Sequence, residues 1–114
     1  MRALSWAILL RADGVVVETR HTPGTPISEW ARKAMEGKPR VRILEYPAAG
    51  GVMLVLDPEA HQGYRSNPIA ERFAGKPVLG NAIYLPGKDE YGMYRFYSQK
   101  GAEREVKILR IAAR

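Results

Sequence analysis

Cysteine is absent from all 114 positions, which excludes disulfides, thiolate zinc sites and a cysteine nucleophile together. Small secreted domains usually rely on disulfides, so a cytoplasmic location is the expectation. Histidine is scarce. His21 and His61 stand far apart in the chain, without the i, i+4 pairing that would place two imidazoles on one helix face for a metal. No apolar run reaches the roughly 18 to 20 residues of a membrane-spanning helix. The short run Ala3–Leu10 is closed by Arg11 and Asp13 with no A-x-A cleavage site, so it reads as a first strand rather than a leader, and no membrane partner is expected.

Phosphate-binding signatures are missing as well. There is no Gly-x4-Gly-Lys-Ser/Thr loop and no Gly-x-Gly-x-x-Gly turn. Asp13, Asp57 and Asp89 fall in turns, where aspartate serves the backbone, and Ser5, Ser28, Ser66 and Ser98 lie in no nucleophile-elbow motif. The expectation is therefore a non-enzyme with no catalytic residue, no metal site and no cofactor. Repeats, low-complexity tracts and linkers are also lacking, which leaves residues 1–114 as one domain.

What is present is charge, unevenly placed. Eighteen Lys and Arg stand against twelve Asp and Glu, a net +6. Residues 1–60 hold eight basic against seven acidic groups (+1), and residues 61–114 hold ten against five (+5). Such a half attracts anions: nucleotides, nucleic acid or an acidic protein. It also rules poorly for a mimic of DNA.

The apolar residues, 46% of the chain, are patterned. Ala3–Leu10 and the β-branched Val15–Arg20 flank an Asp13-Gly14 turn and read as paired strands. Thr25-Pro26 reads as a cap and first helical residue, followed by Ile27, Trp30, Ala31, Ala34 and Met35 on one helix face, with Gly37 as the stop. Arg40–Tyr46 and Val52–Leu56 read as strands joined by a turn at Pro47–Gly51, and residues 58–66 as a polar loop. Asn67-Pro68 opens a second helix that Gly75 ends. Pro77–Leu85 reads as a strand interrupted at Gly80-Asn81, and residues 86–90 as a loop. In the last stretch, Met93–Tyr97 reads as a strand. Arg104–Ile111 alternates as a strand would, although Ala102, Val106, Leu109 and Ala113 also share helical spacing; a closing hairpin is favoured. The expected fold is α+β: two helices packed on a mainly antiparallel sheet, in the order β-β-α-β-β-α-β plus a C-terminal hairpin.

The helix Ile27–Met35, the strands Val41–Tyr46 and Gly51–Leu56, and above all Asn67-Pro68-Ile69-Ala70 followed by Pro77-Val78-Leu79-Gly80-Asn81-Ala82-Ile83 are similar to a family known as domain of unknown function 3846, small proteins of phages, plasmids and some bacteria. The resemblance covers roughly residues 6–87, making residues 88–114 an extension. Glu36-Gly37 departs from the family's usual Gly-Gly at the first helix end. The resemblance implies a fold and a mobile-element setting, and no activity.

The candidate binding residues come from three places. Tyr64, Arg65, Asn67 and Arg72 surround the second helix start, where a cap and an anion site coincide. Asn81 interrupts a strand. Lys88, Tyr94, Arg95 and Tyr97 interleave aromatic and basic groups, a pattern that stacks bases and holds phosphates. Together they predict a binding or sequestering protein for a small anion such as a nucleotide, assembled as a homo-oligomer; in a phage, a sponge for a host defence signal. The alternatives are a nucleic-acid-binding accessory protein and a module that docks on a host protein.

Overall fold

Strand β1 (Trp6–Leu10) turns back at Gly14 into β2 (Val16–Arg20), and β3 (Ile43–Ala48) forms a second hairpin with β4 (Gly51–Leu56). The fifth strand, β5 (Ala82–Leu85), lies between the hairpins and pairs antiparallel with β1 and β4, giving the order β2-β1-β5-β4-β3. This computed structural model describes residues 4–60 and 63–113; His61 and the first residue of the Ala3 run lie outside them.

Both faces of the sheet are covered. Helix α1 (Ile27–Ala34) brings Trp30 and Ala31, with Met35 after it, against Ala7, Leu54, Leu56, Ile83 and Leu85. On the opposite face, α2 (Pro68–Ala74) and α3 (Gln99–Ala112) bring Ala70, Ala102, Val106 and Leu109 against Ile8, Leu10, Met53, Val55 and Tyr84. Covering on both sides is why β1, β4 and β5 read as unbroken apolar runs instead of alternating ones. The α+β class and the antiparallel sheet are as expected. Among the described residues, no helix is long and apolar enough to cross a membrane.

The C-terminal hairpin is not formed. Residues 99–112 are helix α3, so there are three helices among the described residues where two were expected. Ser98 caps it, its Oγ accepting the Gly101 N–H at 3.0 Å. Ala102, Val106 and Leu109 are the residues it buries, whereas Ile108 and Ile111, which created the strand-like alternation, face solvent. The physical reason is coverage: with α1 on one face and only seven-residue α2 on the other, the β1–β2 half of that second face requires an amphipathic helix.

Smaller differences have local causes. Pro26 itself occupies the N-cap of α1 with no side-chain cap bond; Thr25 contributes its carbonyl to His21 Nε2 (2.8 Å) instead. Past the C-cap Met35 of α1, Glu36 rather than Gly37 takes the left-handed conformation (φ 56°), with Gly37 N–H bonded back to Arg32 O at 2.8 Å. Arg40 at φ 71° delays β3 to Ile43, and β3 runs through Pro47 to a two-residue turn. Residues 87–88, expected in a loop, form β6 (Gly87–Lys88), paired with β7 (Tyr94–Arg95) in a small ribbon.

Both sheet edges are guarded. The Arg110 guanidinium donates to Val16 O (2.8 and 3.2 Å) and the Trp30 indole to Arg20 O (3.0 Å), so a helix from each layer occupies a carbonyl of edge strand β2. On β3, Pro47 withholds a donor.

Candidate functional site

Because β1 and β5 are antiparallel, the start of β1 meets the end of β5 at one end of the sheet, and the end of β1 meets the start of β5 at the other. Each end carries a concavity. They lie a strand's length apart, about 17 Å at 3.3 Å per residue over five residues, and they divide the candidate residues between them.

The larger cleft, about 610 Å³, is built where the chain leaves β7 for α3; Arg95, Ser98 and Gly101 line it, with Tyr94, Phe96 and Tyr97, and Leu4, Pro86 and Asp89 complete the wall. Two backbone bonds fix its floor: Tyr97 N–H to Trp6 O (2.7 Å) and Trp6 N–H to Tyr97 O (2.9 Å) tie the segment to the start of β1. Helix α3 starts at the cleft with no acidic residue in its first turn. Its first-turn amides have no intrahelical acceptors, and its dipole places partial positive charge there. Exposed Arg95 adds a full charge. Asp89 does not cancel it by pairing with Arg95: its Oδ1 accepts the Tyr91 and Met93 N–H groups, both at 2.9 Å, and shapes the β6–β7 turn.

The aromatic rings of this segment are anchored. Tyr94 OH donates to Glu45 Oε1 (2.5 Å), which also binds Lys88 Nζ (2.7 Å), and the Lys88 ammonium lies 5.1 Å from the Tyr94 ring centre. Phe96 stacks on His21 at 5.1 Å and meets Trp30 edge-on at 5.8 Å. Tyr97 packs on the opposite side of the sheet, against the α2–α3 layer. Lys88 and Tyr94 thus clamp the ribbon onto β3, and Lys88 is not among the cleft residues.

These contacts set the ionisation of the phenols. Burial pushes Tyr94 up, and the hydrogen bond to Glu45 and its charge push it further. Burial raises Tyr97, with help from the Glu105 charge and Tyr84; burial and Glu105 raise Tyr84. For Glu45, desolvation is the largest single influence and acts upward, but hydrogen bonds from Lys88 and Tyr94 and the ammonium charge together outweigh it and hold the carboxyl below its usual range. Alkaline titration followed by phenolate absorbance should find Tyr84, Tyr94 and Tyr97 still protonated beyond about pH 10, where free tyrosine ionises. The unfolded chain then releases protons that the native state retains, so stability complete below that pH should decline above it. Tyr94→Phe and Tyr97→Phe should each flatten the decline.

The smaller concavity, about 230 Å³, gathers Tyr64, Arg65 and Asn81 with Glu36, Met35 and Ala12. Here Asn81 is a cross-link. Its Oδ1 accepts Ala12 N–H (2.9 Å), and its Nδ2 faces Met35 O (3.4 Å) and Glu36 Oε2 (3.3 Å). Tyr64 OH accepts Lys38 N–H at 2.7 Å. Asn67 is wholly buried beneath: its Oδ1 caps α2 at Ala70 N–H, and both Nδ2 hydrogens are taken, by Leu10 O and Gly80 O. No donor is left for a ligand. Arg72 is elsewhere again, donating to Ala112 O (3.0 Å) and joining α2 to the end of α3.

Of the nine candidates, then, Tyr94, Arg95 and Tyr97 share one cleft, Tyr64, Arg65 and Asn81 another, and Asn67, Arg72 and Lys88 line neither. Sequence reasoning missed Ser98 and Gly101, whose signal was a Ser-x-x-Gly start ahead of helically spaced apolar residues, and Leu4 and Pro86, which carried none; Phe96 stood within the aromatic and basic segment but was not among the nine. Among the described residues, no three His, Asp or Glu side chains gather to hold a metal. No family model, curated protein or solved structure matches the chain, so its function is read from the site.

Proposed function

We propose that the 610 Å³ cleft binds a small, planar, anionic ligand of the nucleotide class and that the protein holds this ligand without transforming it. The observation that carries the reading is the meeting of the acid-free N-terminus of α3 with Arg95 at one concave, aromatic-lined surface. The helix terminus and the guanidinium suit a phosphate. The apolar wall suits a base, and the volume falls in the range of about 300–1,000 Å³ typical of small-molecule sites. In the mobile-element setting that the family resemblance implies, such a protein would sequester a host signalling nucleotide.

Calorimetric titration with nucleoside monophosphates and cyclic dinucleotides tests this. Wild-type protein should bind at least one, and Arg95→Ala should weaken binding roughly tenfold or more, because a hydrogen bond to a charged group contributes about 1.5–3 kcal/mol. Absence of binding by all of them at millimolar ligand would remove the reading.

A second reading has its own observation. Tyr91 and Met93, in the β6–β7 turn close to Arg95 in the chain, are 82% and 65% exposed. Tyrosine, methionine and arginine are enriched in protein interfaces, which suits docking of a host protein or a second copy of the chain. Tyr91→Ser with Met93→Ser would abolish such docking while leaving nucleotide affinity intact.

A further inference from the structure

Helix α3 continues outward from the cleft, and its exposed surface is not neutral. At about 100° per residue, Lys100, Arg104 and Lys107 fall within a narrow arc opposite the buried Ala102, Val106 and Leu109. All three are exposed, and none forms an ion pair with a described residue. They climb the helix in steps of about 6 and 4.5 Å at 1.5 Å per residue. Lys100 adjoins Gly101 of the cleft wall. Beside this row lie Ile108, 49% exposed, and Ile111, 66% exposed. Exposed Glu103, three residues after Lys100 and four before Lys107, flanks the row without an ion pair to a described residue, so three cations stand against one carboxylate. A predominantly cationic row that begins at an anion-binding cleft is matched by a polyanion that also begins there.

We propose that α3 is a track for the backbone of a single-stranded nucleic acid whose end nucleotide occupies the cleft; this rests on the cleft being a nucleotide site. A single strand fits better than a duplex on two grounds. Paired bases would have to be unstacked and unpaired, at a few kcal/mol, before one could enter the cleft. The exposed isoleucines offer apolar surface that unpaired base faces can cover and a phosphate-lined duplex cannot. A lipid surface fits less well, because interfacial helices bury a continuous apolar face in the bilayer, and here that face packs on the sheet.

The test measures binding of a mononucleotide by calorimetry, and of labelled oligonucleotides of two, four and eight residues by fluorescence anisotropy, across a salt series. Affinity should rise at least tenfold from one to four nucleotides and then level off. Lys100→Gln/Arg104→Gln/Lys107→Gln should return the octamer to mononucleotide affinity and reduce the salt slope by about 2, since each neutralised single-strand phosphate contributes about 0.7. Mononucleotide binding should be unchanged in Arg104→Gln/Lys107→Gln, which leaves the first turn of α3 intact. The exposed set Lys33→Gln/Arg40→Gln/Arg42→Gln, which removes the same charge elsewhere, should leave the octamer's length dependence intact.

Mononucleotide binding with no gain in length would overturn the track and leave the cleft reading standing. Octamer binding lost in the α3 variant but indifferent to Arg95→Ala would support the track and remove the cleft. No binding of either would remove both. An unchanged slope in the α3 variant would overturn the track. So would α3-dependent binding to phosphatidylserine vesicles without any length dependence, which would make this a lipid surface.

Discussion

Replacing Asn67 by alanine should cost about 4 kcal/mol of folding stability, a large part of the 5–15 kcal/mol typical of a native domain. One side chain holds three segments: the end of β1 through Leu10 O (2.9 Å), the approach to β5 through Gly80 O (2.9 Å), and the first turn of α2 through Ala70 N–H (3.1 Å). Loss of the cap alone costs about 1 kcal/mol. Two carbonyls left without donors in a site of zero exposure add about 1–3 kcal/mol each. Asn67→Asp is the sharper probe. It keeps the oxygen that caps Ala70 but points a second oxygen at the two carbonyls, so it should be at least as damaging at neutral pH and partly recover when acid supplies a proton to donate. Urea unfolding at several pH values measures both. A loss under 1 kcal/mol for the alanine variant would show that the three segments hold together without this amide.

Gly51→Ala should be comparably severe, for a steric reason. A Cβ on Gly51 would stand 2.2 Å from Leu85 O and 3.2 Å from the Tyr84 hydroxyl. The clash is with backbone, so β4 must part from β5 in the middle of the sheet; about 3 kcal/mol or more is expected, at the upper end of overpacking costs. Gly14→Ala provides the contrast. Gly14 has φ 94° but open space around it, so only the backbone strain of about 1–2 kcal/mol applies. Thermal unfolding of the pair should therefore rank Gly51→Ala well below Gly14→Ala, and equal losses would contradict the close approach.

The Gly50-Gly51 pair illustrates how far the sequence could be read. As a dipeptide it signals a turn, and Gly50 does take φ 76° there. Nothing local shows that Gly51 is required instead for the passage of Leu85 O, because that neighbour is distant in the chain. The same division holds elsewhere. The face of α1, the two strand hairpins, the Asn67 cap and the Gly75 stop were legible, since each depends on a few consecutive residues. Helix α3 was not, because Ile108 and Ile111 supply strand-like alternation on a surface that the sheet never touches; the deciding signal, Ala102-Val106-Leu109, gains force only once a bare sheet face needs covering.

The candidate site was legible in its chemistry and misjudged in its assembly. Arg65 and Asn81 belong to the far end of the sheet, and Arg72 fastens two helices, whereas Arg95 and Tyr97 share a cleft with Ser98 and Gly101. Asn67 and Asn81 carry polar groups that a ligand could use, but the backbone uses them first. Arg65 and Arg95 stand at opposite ends of the sheet because β5 carries the chain from one end to the other.

Backbone amide chemical shifts recorded while a nucleoside monophosphate is titrated into isotopically labelled protein test the cleft most directly. The largest changes should fall on Arg95, Tyr97, Ser98, Lys100 and Gly101, and disappear in Arg95→Ala. Changes centred on Tyr64, Arg65 and Asn81 at the opposite end of the sheet, or none at saturating ligand, would contradict a nucleotide site at the start of α3.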